Sequence, residues 1–521
     1  MSVNSIRNLL EIAQVTKPKK VALKQREKTV SFDELFKKVN QIANYFDTLN
    51  LPKGSRIGIY SNKGIEQVIS ILAILSTDFV IVPITRFLKP EQVNHIIKDC
   101  NIQCIITDKT KVESLAATSF EGQIITYESI SSEGVAFDEL YKYYSSEREC
   151  SIKGHDNAVI TYSFAATGFP KGIVITHRNL IDGARVVSSY LDLRDDDVLS
   201  GLLSFNVDYG LNQIFCALYK KIPLAIHKMV LSNDFFNHLI QDGVTILPIM
   251  PVHISQMFDE DPHRLPTPEQ LSSIRIITSS GGKITSQMRA DIDKYFPNVK
   301  FFSMHGLSEA FRSAFLDPNQ IKIRPDSIGK AIPDVDLYVI NEHGECCKPR
   351  EVGELIHRGA CIYKGYWNSK EDTDMRFKSI KILEKVINLE GALTDEIVVA
   401  SGDYVYRDEE DYLYFVARLD DMIKTSGYRV SPVEIESVVY ENIPNVTSCA
   451  VFSIENEKIE EEIVLVYSAP SEISKNEMIF ELKKHLANYM IPSLIVYKKS
   501  ISLYYGEIDK EALKKEVLER V

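Results

Sequence analysis

The chain has 521 residues and a formal net charge of −12, so it lacks the basic surplus that a nucleic-acid or anionic-membrane partner requires. Its length exceeds what a single hydrophobic core usually serves, so we expect two or more domains. No run of about 18 apolar residues could span a bilayer. The eight cysteines show no CxxC or zinc-type spacing, and no signal peptide precedes them, which favours a reduced, cytoplasmic protein.

Helix and strand patterns alternate along the first part of the chain. Residues 31–49 are amphipathic with a helical period, which predicts a helix capped by Ser31, and residues 65–77 predict a second helix. Apolar, β-branched runs predict strands at 55–61, 79–84, 158–163, 222–228, 244–250 and 274–282. This alternation predicts an α/β fold with a largely parallel sheet.

The pattern changes twice in the second half of the chain. From about residue 330, short strand patterns separated by turn signals predict a smaller β unit. A charged stretch near residue 420 precedes a compact α/β tail with helix patterns at 433–443 and 477–491. We therefore predict a large N-terminal domain, residues 1–419, and a small C-terminal α/β domain, residues 420–521, with a site in the cleft between them.

The stretch TYSFAATGFPKGIVITHRNL, residues 161–180, has the features of a phosphate-binding loop. It predicts the end of a strand, a loop of small residues and the start of a helix, although the Walker pattern is absent. Gly168 permits close backbone approach, Thr167 offers a hydroxyl, and Lys171 supplies charge for a polyphosphate. A surface turn that carries Pro-Lys-Gly is the alternative interpretation.

Two later stretches carry further polar groups suited to a nucleotide. In FFSMHGLSEAFRS, residues 301–313, Ser308 and Glu309 follow a strand, and Glu309 could hold a Mg²⁺ that bridges phosphate oxygens. A helix N-cap at Ser308 is the alternative. In residues 401–436, Asp403 follows a glycine and can reach the vicinal hydroxyls of a ribose, whereas a charged hairpin with a linker is the alternative.

In this order and spacing, these stretches and GELIHRGACIYKGYWNSKEDT, residues 353–373, resemble the adenylate-forming (AMP-binding) superfamily. That superfamily includes acyl-CoA synthetases, luciferases and the adenylation domains of peptide synthetases, and the resemblance covers nearly the whole chain. It implies ATP with Mg²⁺, a small carboxylate substrate, an acyl-adenylate intermediate, and transfer to the thiol of CoA or of phosphopantetheine on a separate carrier protein. It also implies that the small C-terminal domain is mobile and rotates between the two half-reactions.

The resemblance also assigns roles to individual positions. The nucleotide-binding set that it implies consists of Thr167, Gly168, Gly281, Gly282, His305, Gly306, Ser308, Asp403 and Arg418. The resemblance also assigns Gly282, with Val207 and Asp208, to the substrate. The catalytic set consists of Lys171, Glu309, Arg418 and Lys424, with Glu309 as the metal ligand. Asp420 matches the hinge, and Lys424 lies in the loop that approaches the site after rotation.

The chain departs from the family pattern at two places. Phe164, Ala165 and Ala166 replace the usual hydroxyl-Gly-hydroxyl of the phosphate loop. In SLYYGEIDKEAL, residues 502–513, Glu507 occupies the position of a Lys that bridges the carboxylate and the α-phosphate in the family. An anion there would repel both reacting groups, and losing one such stabilising group typically lowers the rate about 10²–10³-fold.

Three interpretations of Glu507 remain open at this point. The protein adenylates slowly with another cation, such as Lys424 or Lys510; or it performs only the second half-reaction on a preformed adenylate. The third interpretation is a catalytically impaired or non-catalytic paralogue that binds a nucleotide or an acyl-adenylate. Survival of Lys171, Glu309, Asp403 and Arg418 favours a working AMP-forming ligase.

The stretch LLSFNVDYGLNQIFCAL, residues 202–218, bears on the identity of the acid. Peptide-synthetase adenylation domains carry Phe-Asp at this place, where the Asp pairs with an α-ammonium; here Val207 and Asp208 match those two residues. A buried carboxylate needs a cation or hydrogen bonds to stay ionised, so an amino acid is favoured over an acyl or aryl acid. A helix that simply begins at Asp208 is the alternative.

Overall fold

The structure is a computed structural model, and it describes residues 3–86, 88–128, 134–146, 151–163, 170–229, 231–258, 265–390, 395–425, 428–456, 460–501, 503–504 and 507–519. The helices α1 to α15 are, in chain order, Ile6–Thr16, Phe32–Thr48, Ile65–Ile74, Pro90–Cys100, Lys109–Ala116, Phe137–Leu140, His177–Tyr190, Asp208–Lys220, Ser232–Gln241, Pro251–Phe258, Ser286–Tyr295, Lys370–Arg376, Pro432–Asn442, Lys475–Leu482 and Lys510–Leu518.

The strands β1 to β14 are Val21–Gln25, Lys28–Ser31, Arg56–Tyr60, Val80–Pro83, Ile102–Thr107, Gln123–Thr126, Val135–Ala136, Asn157–Ser163, Lys171–Thr176, Leu199–Gly201, Leu224–Ile226, Ile246–Ile249, Ile276–Ser279 and Lys300–His305. The strands β15 to β29 are Ala314–Leu316, Ser327–Ala331, Val335–Ile340, Gly353–Gly359, Gly365–Tyr366, Phe377–Ser379, Ile397–Arg407, Leu413–Arg418, Ile423–Thr425, Tyr428–Val430, Ser448–Asn456, Glu460–Ser468, Leu494–Lys498, Leu503–Tyr504 and Glu507–Ile508.

The two largest sheets confirm the prediction of an α/β fold with much parallel pairing. The larger has the order β17-β18-β21-β22-β16-β15-β14-β13-β12-β10-β11-β1-β2, with β20 paired to β21. Its strands from β1 through β11, β10, β12 and β13 to β14 are parallel, and those from β14 to β18 are antiparallel. The predicted smaller β unit is therefore hydrogen-bonded continuously to the parallel part of this sheet.

The second sheet has the order β19-β9-β8-β4-β3-β5-β6-β7, and most of its pairs are parallel. One hydrophobic core joins the two large sheets, because it includes residues of α2, α3, α7 and α8 together with strands of both sheets. Helix α2 begins as predicted: Ser31 caps it, and Glu34 completes a capping box with Ser31.

The C-terminal strands form a separate sheet, β24-β23-β26-β25, with β27 paired to β26. Its main hydrophobic cluster draws its buried residues from Ile423 to Met490. Helix α13 lies where it was predicted, but the prediction for 477–491 is wrong in length, because α14 ends at Leu482 and only a 3-10 turn follows at Asn488–Met490. The domain boundary between residues 419 and 420 stays a prediction.

One local prediction near the phosphate loop is also wrong. Lys171 was expected in a loop that leads directly into a helix, but it begins strand β9, which pairs with β8 as an antiparallel hairpin. Helix α7 starts only at His177. The reason is the run of apolar, β-branched residues from Ile173 to Thr176, which is buried in the sheet. Over the described ranges, no helix has both the length and the apolar content needed to cross a bilayer.

His357 on β18 gives the fold a specific dependence on pH. The ring is buried; its Nδ1 lies 2.9 Å from the Ser313 hydroxyl and its Nε2 2.8 Å from the Ala360 carbonyl oxygen. The carbonyl can only accept, so Nε2 carries the proton and Nδ1 accepts from Ser313. Burial lowers the pKa of His357 to about 4.

We predict that acid destabilises the protein partly through His357. The folded pKa lies below the unfolded value of about 6.5, so the stabilisation is present above pH 6.5 and is lost as the pH falls towards 4. Between pH 7 and pH 5 this one group should remove about 2 kcal/mol of stability. Urea unfolding of His357→Gln should show a smaller loss over that range than the parent protein, whereas His343→Gln, at an exposed position, should match the parent. Equal losses in all three proteins would contradict this role.

Candidate active site

Several of the predicted site residues lie in or next to one loop, residues 306–313, which follows strand β14. The chain from Cys361 to Tyr366 holds this loop through its backbone: Phe311 N donates to the Cys361 carbonyl at 3.3 Å, and Tyr363 N donates to the Glu309 carbonyl at 2.9 Å. The loop contains no helix, so the alternative interpretation of Ser308 as a helix N-cap is wrong.

Asp403 is the most buried acid of this site and lies between two basic side chains. It is on β21, opposite Arg418 in the register of β22. Its Oδ2 accepts from His305 Nε2 at 3.1 Å, and its Oδ1 lies 3.4 Å from Arg418 Nε. Burial by itself raises the pKa of Asp403, but the hydrogen bond and charge of His305 and the charge of Arg418 outweigh burial and lower the pKa. We call Asp403, His305 and Arg418 the Asp403 cluster.

Glu309 is buried beneath the same loop, whereas the neighbouring Ser308 is exposed. The hydroxyl of Tyr366 donates to Glu309 Oε1. Burial raises the pKa of Tyr366 far above its usual value, so this hydroxyl stays protonated. Within the described part of the chain, Glu309 Oε2 accepts no hydrogen bond, and no group of three or more His, Cys, Asp or Glu side chains could hold a metal ion by itself.

Glycines at two places let the backbone approach this loop closely. A Cβ at Gly306 would lie 2.5 Å from the Phe311 carbonyl oxygen, so any other residue would force the loop open. Gly281 follows strand β13 with a φ of 85°, in the left-handed region that favours glycine, and Gly282 comes directly after it. The roles of Gly281, Gly282 and Gly306 at the nucleotide stay predictions.

Lys171 lies near the site but is engaged by a carboxylate. Its Nζ is 2.6 Å from Asp372 Oδ1 on α12, and the Lys171 side chain is 37% exposed. Burial opposes ionisation of Asp372, yet hydrogen bonds from Lys171 and Ser369 lower its pKa. Sequence reasoning missed Asp372, although it belongs to the quoted 353–373 stretch. Thr167 and Gly168, the other predicted phosphate-loop residues, lie outside the described residues.

A small pocket beside the loop contains the predicted substrate residue Asp208. Asp208 is the first residue of α8, with Val207 as the N-cap, and its Oδ1 accepts from Tyr209 N at 2.6 Å. Asp208, Asn179, Phe311 and Tyr363 are among the residues that line this pocket. Burial raises the pKa of Asp208, although the charge of Arg312 acts in the opposite direction. A nearby cation would stabilise the ionised form of such a carboxylate.

A second pocket adjoins the first, since Asn212 and Phe311 line both. Most of its walls are apolar, and the polar residues among them are Tyr209, Asn212, Gln213, Thr278 and Arg312. Sequence reasoning missed Arg312. The available signal was its position three residues after Glu309, but no periodicity there indicates that the side chain turns inward.

The remaining predicted residues belong to the C-terminal part of the chain. The backbone of Lys424 pairs with that of Arg429 in the β23–β24 hairpin, Asp420 lies in a 3-10 turn, and Glu507 lies on β29 opposite Tyr504. The side chains of these residues lie outside the described set, so their predicted roles stay predictions.

Lys510, one of the two cations considered as substitutes for the missing Lys, has partners of its own. Its Nζ donates to Glu436 Oε1 at 2.8 Å and to the Val451 carbonyl at 3.1 Å. Glu436 in turn accepts from Val451 N at 2.8 Å, so the three groups tie α15 and α13 to β25. This geometry favours a structural role for Lys510 and leaves Lys424 as the other candidate.

Comparison with known proteins confirms the family resemblance. The model of the AMP-binding enzyme family matches residues 10–367. Tyrocidine synthase 1 of Brevibacillus parabrevis is 23% identical over 98% of this chain and 45% of its own length. Delta-poly-L-ornithine synthetase of Acinetobacter baumannii is 26% identical over 96% of this chain and 36% of its own length. The chain thus spans less than half the length of these relatives.

Solved structures show the same fold. The o-succinylbenzoate CoA synthetase of Bacillus subtilis, in complex with its acyl-adenylate intermediate, has a TM-score of 0.82 at 22% identity, covering 97% of this chain and 98% of the other. An anthranilate CoA ligase in complex with anthranoyl-AMP has a TM-score of 0.85 at 20% identity, covering 100% of this chain and 99% of the other. On the family match and this fold, the chain belongs to the family of AMP-binding enzymes.

Proposed function

We propose that this protein uses ATP to activate a carboxylic acid as its acyl-adenylate and then passes the acyl group to a thiol. The observation that carries the proposal is that the Asp403 cluster lies at the start of loop 306–313, which contains Glu309 and adjoins the pocket lined by Asp208. The thiol belongs to CoA or to the phosphopantetheine of a separate carrier protein. An amino acid is the favoured substrate, and an acyl or aryl acid comes next.

The Asp403 cluster is suited to the sugar of a nucleotide. An ionised carboxylate accepts hydrogen bonds from vicinal hydroxyls, and each of its oxygens keeps a second lone pair beyond its present contact. Arg418 is 58% exposed and 3.4 Å from Oδ1, so its side chain has room to move when a ribose enters. The B. subtilis o-succinylbenzoate CoA synthetase has also been solved with ATP and a magnesium ion, which supports a nucleotide at the equivalent fold position.

The triphosphate would lie towards Ser308, Glu309 and Lys171. Lys171 would exchange Asp372 for a phosphate oxygen, and the exposed Ser308 hydroxyl could donate to another. Glu309 Oε2 suits Mg²⁺, because this ion commonly uses one or two protein carboxylates and takes its other ligands from phosphates and water. Bound there, the metal would neutralise phosphate charge.

The chemistry consists of two displacements. In the first, a carboxylate oxygen of the acid attacks the α-phosphorus, a new oxygen–phosphorus bond forms, and pyrophosphate leaves with its bonding electrons. In the second, a thiolate attacks the acyl carbon and AMP leaves. Both reactants of the first step are anions, so their approach needs cations, for which Lys171, Arg418 and Lys424 are the candidates. Rotation of the C-terminal domain about Asp420 is part of this proposal.

Asp208 supports the amino-acid preference through its position and charge. A substrate α-ammonium would neutralise this half-buried carboxylate, whose pKa is raised by burial. The charge of Arg312 also favours the ionised form of Asp208, and so does the position of Asp208 at the start of helix α8. Asp208 therefore does not depend on a substrate ammonium alone, and acids without an amino group stay as the second choice.

A second candidate function has specific support. Glu507 occupies the position of the family's catalytic Lys, and Lys171 is paired with Asp372. A protein that binds a nucleotide or an acyl-adenylate without adenylating, or that performs only the second half-reaction, would tolerate both features.

We predict that pyrophosphate release depends on a carboxylic acid and on Lys171. A panel of amino, acyl and aryl acids with ATP and Mg²⁺ should give release above the acid-free background for at least one acid. Lys171→Met should lower that rate about 10²-fold, because a cation near the reacting phosphates is lost. Lys370→Met is the matched control, since Lys370 forms a comparable 2.8 Å pair with Asp374 on the same helix but is 89% exposed. Melting temperatures of both variants would show that they are folded.

Absence of acid-dependent release from the whole panel would remove the proposed ligase activity. Equal losses in Lys171→Met and Lys370→Met would remove the specific role of Lys171. An acyl-adenylate supplied directly, with CoA or a carrier protein as acceptor, would then show whether the second half-reaction proceeds by itself.

We further predict that Glu507→Lys increases acid-dependent pyrophosphate release. The substitution replaces repulsion between anions by attraction at the family's catalytic position, so a gain of about 10-fold or more is expected. Glu511→Lys, the same charge change four positions further along the chain in the first turn of α15, is the matched control and should leave the rate unchanged. A rate equal to that of the parent in Glu507→Lys would show that this position does not limit adenylation.

A further inference from the structure

Arg312 is a buried cation in the wall of the larger pocket. Arg312 is 3% exposed, and its guanidinium lies 4.9 Å from the ring centre of Tyr209 and 4.8 Å from that of Phe311. Nη1 donates to the Ser280 hydroxyl at 2.9 Å. These contacts fix the guanidinium next to the pocket without neutralising its charge.

No carboxylate within the described ranges forms an ion pair with Arg312, and its buried Nε has no hydrogen-bond acceptor. Asp208 influences Arg312 only at longer range. A buried guanidinium without an ion partner is costly, because desolvation of the charge is not offset by a hydrogen-bonded anion. An acceptor from outside the chain would remove that cost.

Gln213 presents a second unpaired group to the same pocket. It lies on α8, is 4% exposed, and its side-chain oxygen is buried without a donor. Its NH₂ group donates to the Tyr209 carbonyl oxygen at 3.4 Å, and turning the amide over would give up this long hydrogen bond to offer the NH₂ group to an acceptor in the pocket. Elsewhere the pocket is largely apolar, with Val187, Leu199 and Ile246 among its walls.

We propose that Arg312, assisted by Gln213, is a specificity-determining residue that selects acids with a second carboxylate at the end distal to the one that is activated. This inference rests on the proposed function, because it names the substrate class of the same site. The two pockets share Asn212 and Phe311 in their walls, so Asp208 and Arg312 line neighbouring parts of the same site. A distal carboxylate is the group that Arg312 accommodates best, since a guanidinium offers paired N–H donors in a planar fork.

The test compares acids that differ only at the distal end. Pyrophosphate release would be measured with glutamate against norvaline and with glutarate against valerate, where a methyl replaces the second carboxylate. In the parent protein we expect kcat/KM to favour the diacid about 30-fold or more in at least one pair, the usual effect of a hydrogen bond to a charged partner. The pair that responds also shows whether an α-amino group is needed.

Variants separate recognition by Arg312 from a structural role. Arg312→Met should abolish the preference, mainly by raising KM for the diacid. Arg312→Lys should keep part of the preference, and Gln213→Leu should reduce the preference less than Arg312→Met does. Arg194→Met is the matched control, because Arg194 pairs with Asp192 and both are more than half exposed. The melting temperature, measured with glutarate or valerate added, gives a second readout that does not require turnover or a fully stable Arg312→Met variant.

The outcomes are distinct. Turnover without a preference for diacids, or a preference unchanged in Arg312→Met and Arg312→Lys, would overturn the inference and leave the proposed function intact. No turnover with any acid would overturn the proposed function. In that case, a rise in melting temperature with glutarate but not with valerate, lost in the Arg312 variants, would still assign Arg312 to ligand binding. Absence of both turnover and stabilisation would overturn both.

Discussion

The ionised carboxylate of Asp403, buried between His305 and Arg418, is the interaction on which the rest of the site depends. Burial alone raises the pKa of this acid, and the two bases that strands β14, β21 and β22 keep beside it outweigh burial and lower that pKa. The same strands fix the start of loop 306–313 and hence the place of Glu309. The fold thus sets the protonation state of one acid and the position of another.

The site combines a well-formed carboxylate side with cations that are mostly engaged. Lys171 is paired with Asp372, and Lys510 is paired with Glu436. By the family resemblance, Glu507 stands at a position where other members carry a Lys. In the proposed mechanism, ATP must therefore draw Lys171 away from Asp372, and the C-terminal domain must bring Lys424 towards the reacting groups. An enzyme built this way would depend strongly on its substrates to assemble the cations.

Sequence reasoning was most successful where local pattern and family motif agreed. The helix capped by Ser31, the alternation of strands with helices, and helix α8 beginning at Asp208 were all predictable from short segments. The proximity of His305, Asp403 and Arg418 could be expected from the family motifs, although they lie up to 113 positions apart (418 − 305).

By contrast, the Lys171–Asp372 pair joins residues 201 positions apart that no local rule connects. The N-cap interpretation of Ser308 failed because the backbone of Cys361 and Tyr363, not a helix, satisfies that loop. Arg312 was not predictable, since its inward direction arises from packing between Tyr209 and Phe311.

The central claim, that the Asp403 cluster holds the sugar of an adenine nucleotide, is tested most directly by calorimetric titration of AMP. We expect one AMP per chain to bind the parent protein. Asp403→Asn keeps the shape of the side chain but loses its charge, and we expect its affinity for AMP to be at least about 10-fold lower. Asp411→Asn, at an exposed position on the same hairpin, should bind like the parent. No AMP binding by the parent protein, or equal affinity in Asp403→Asn, would contradict the account.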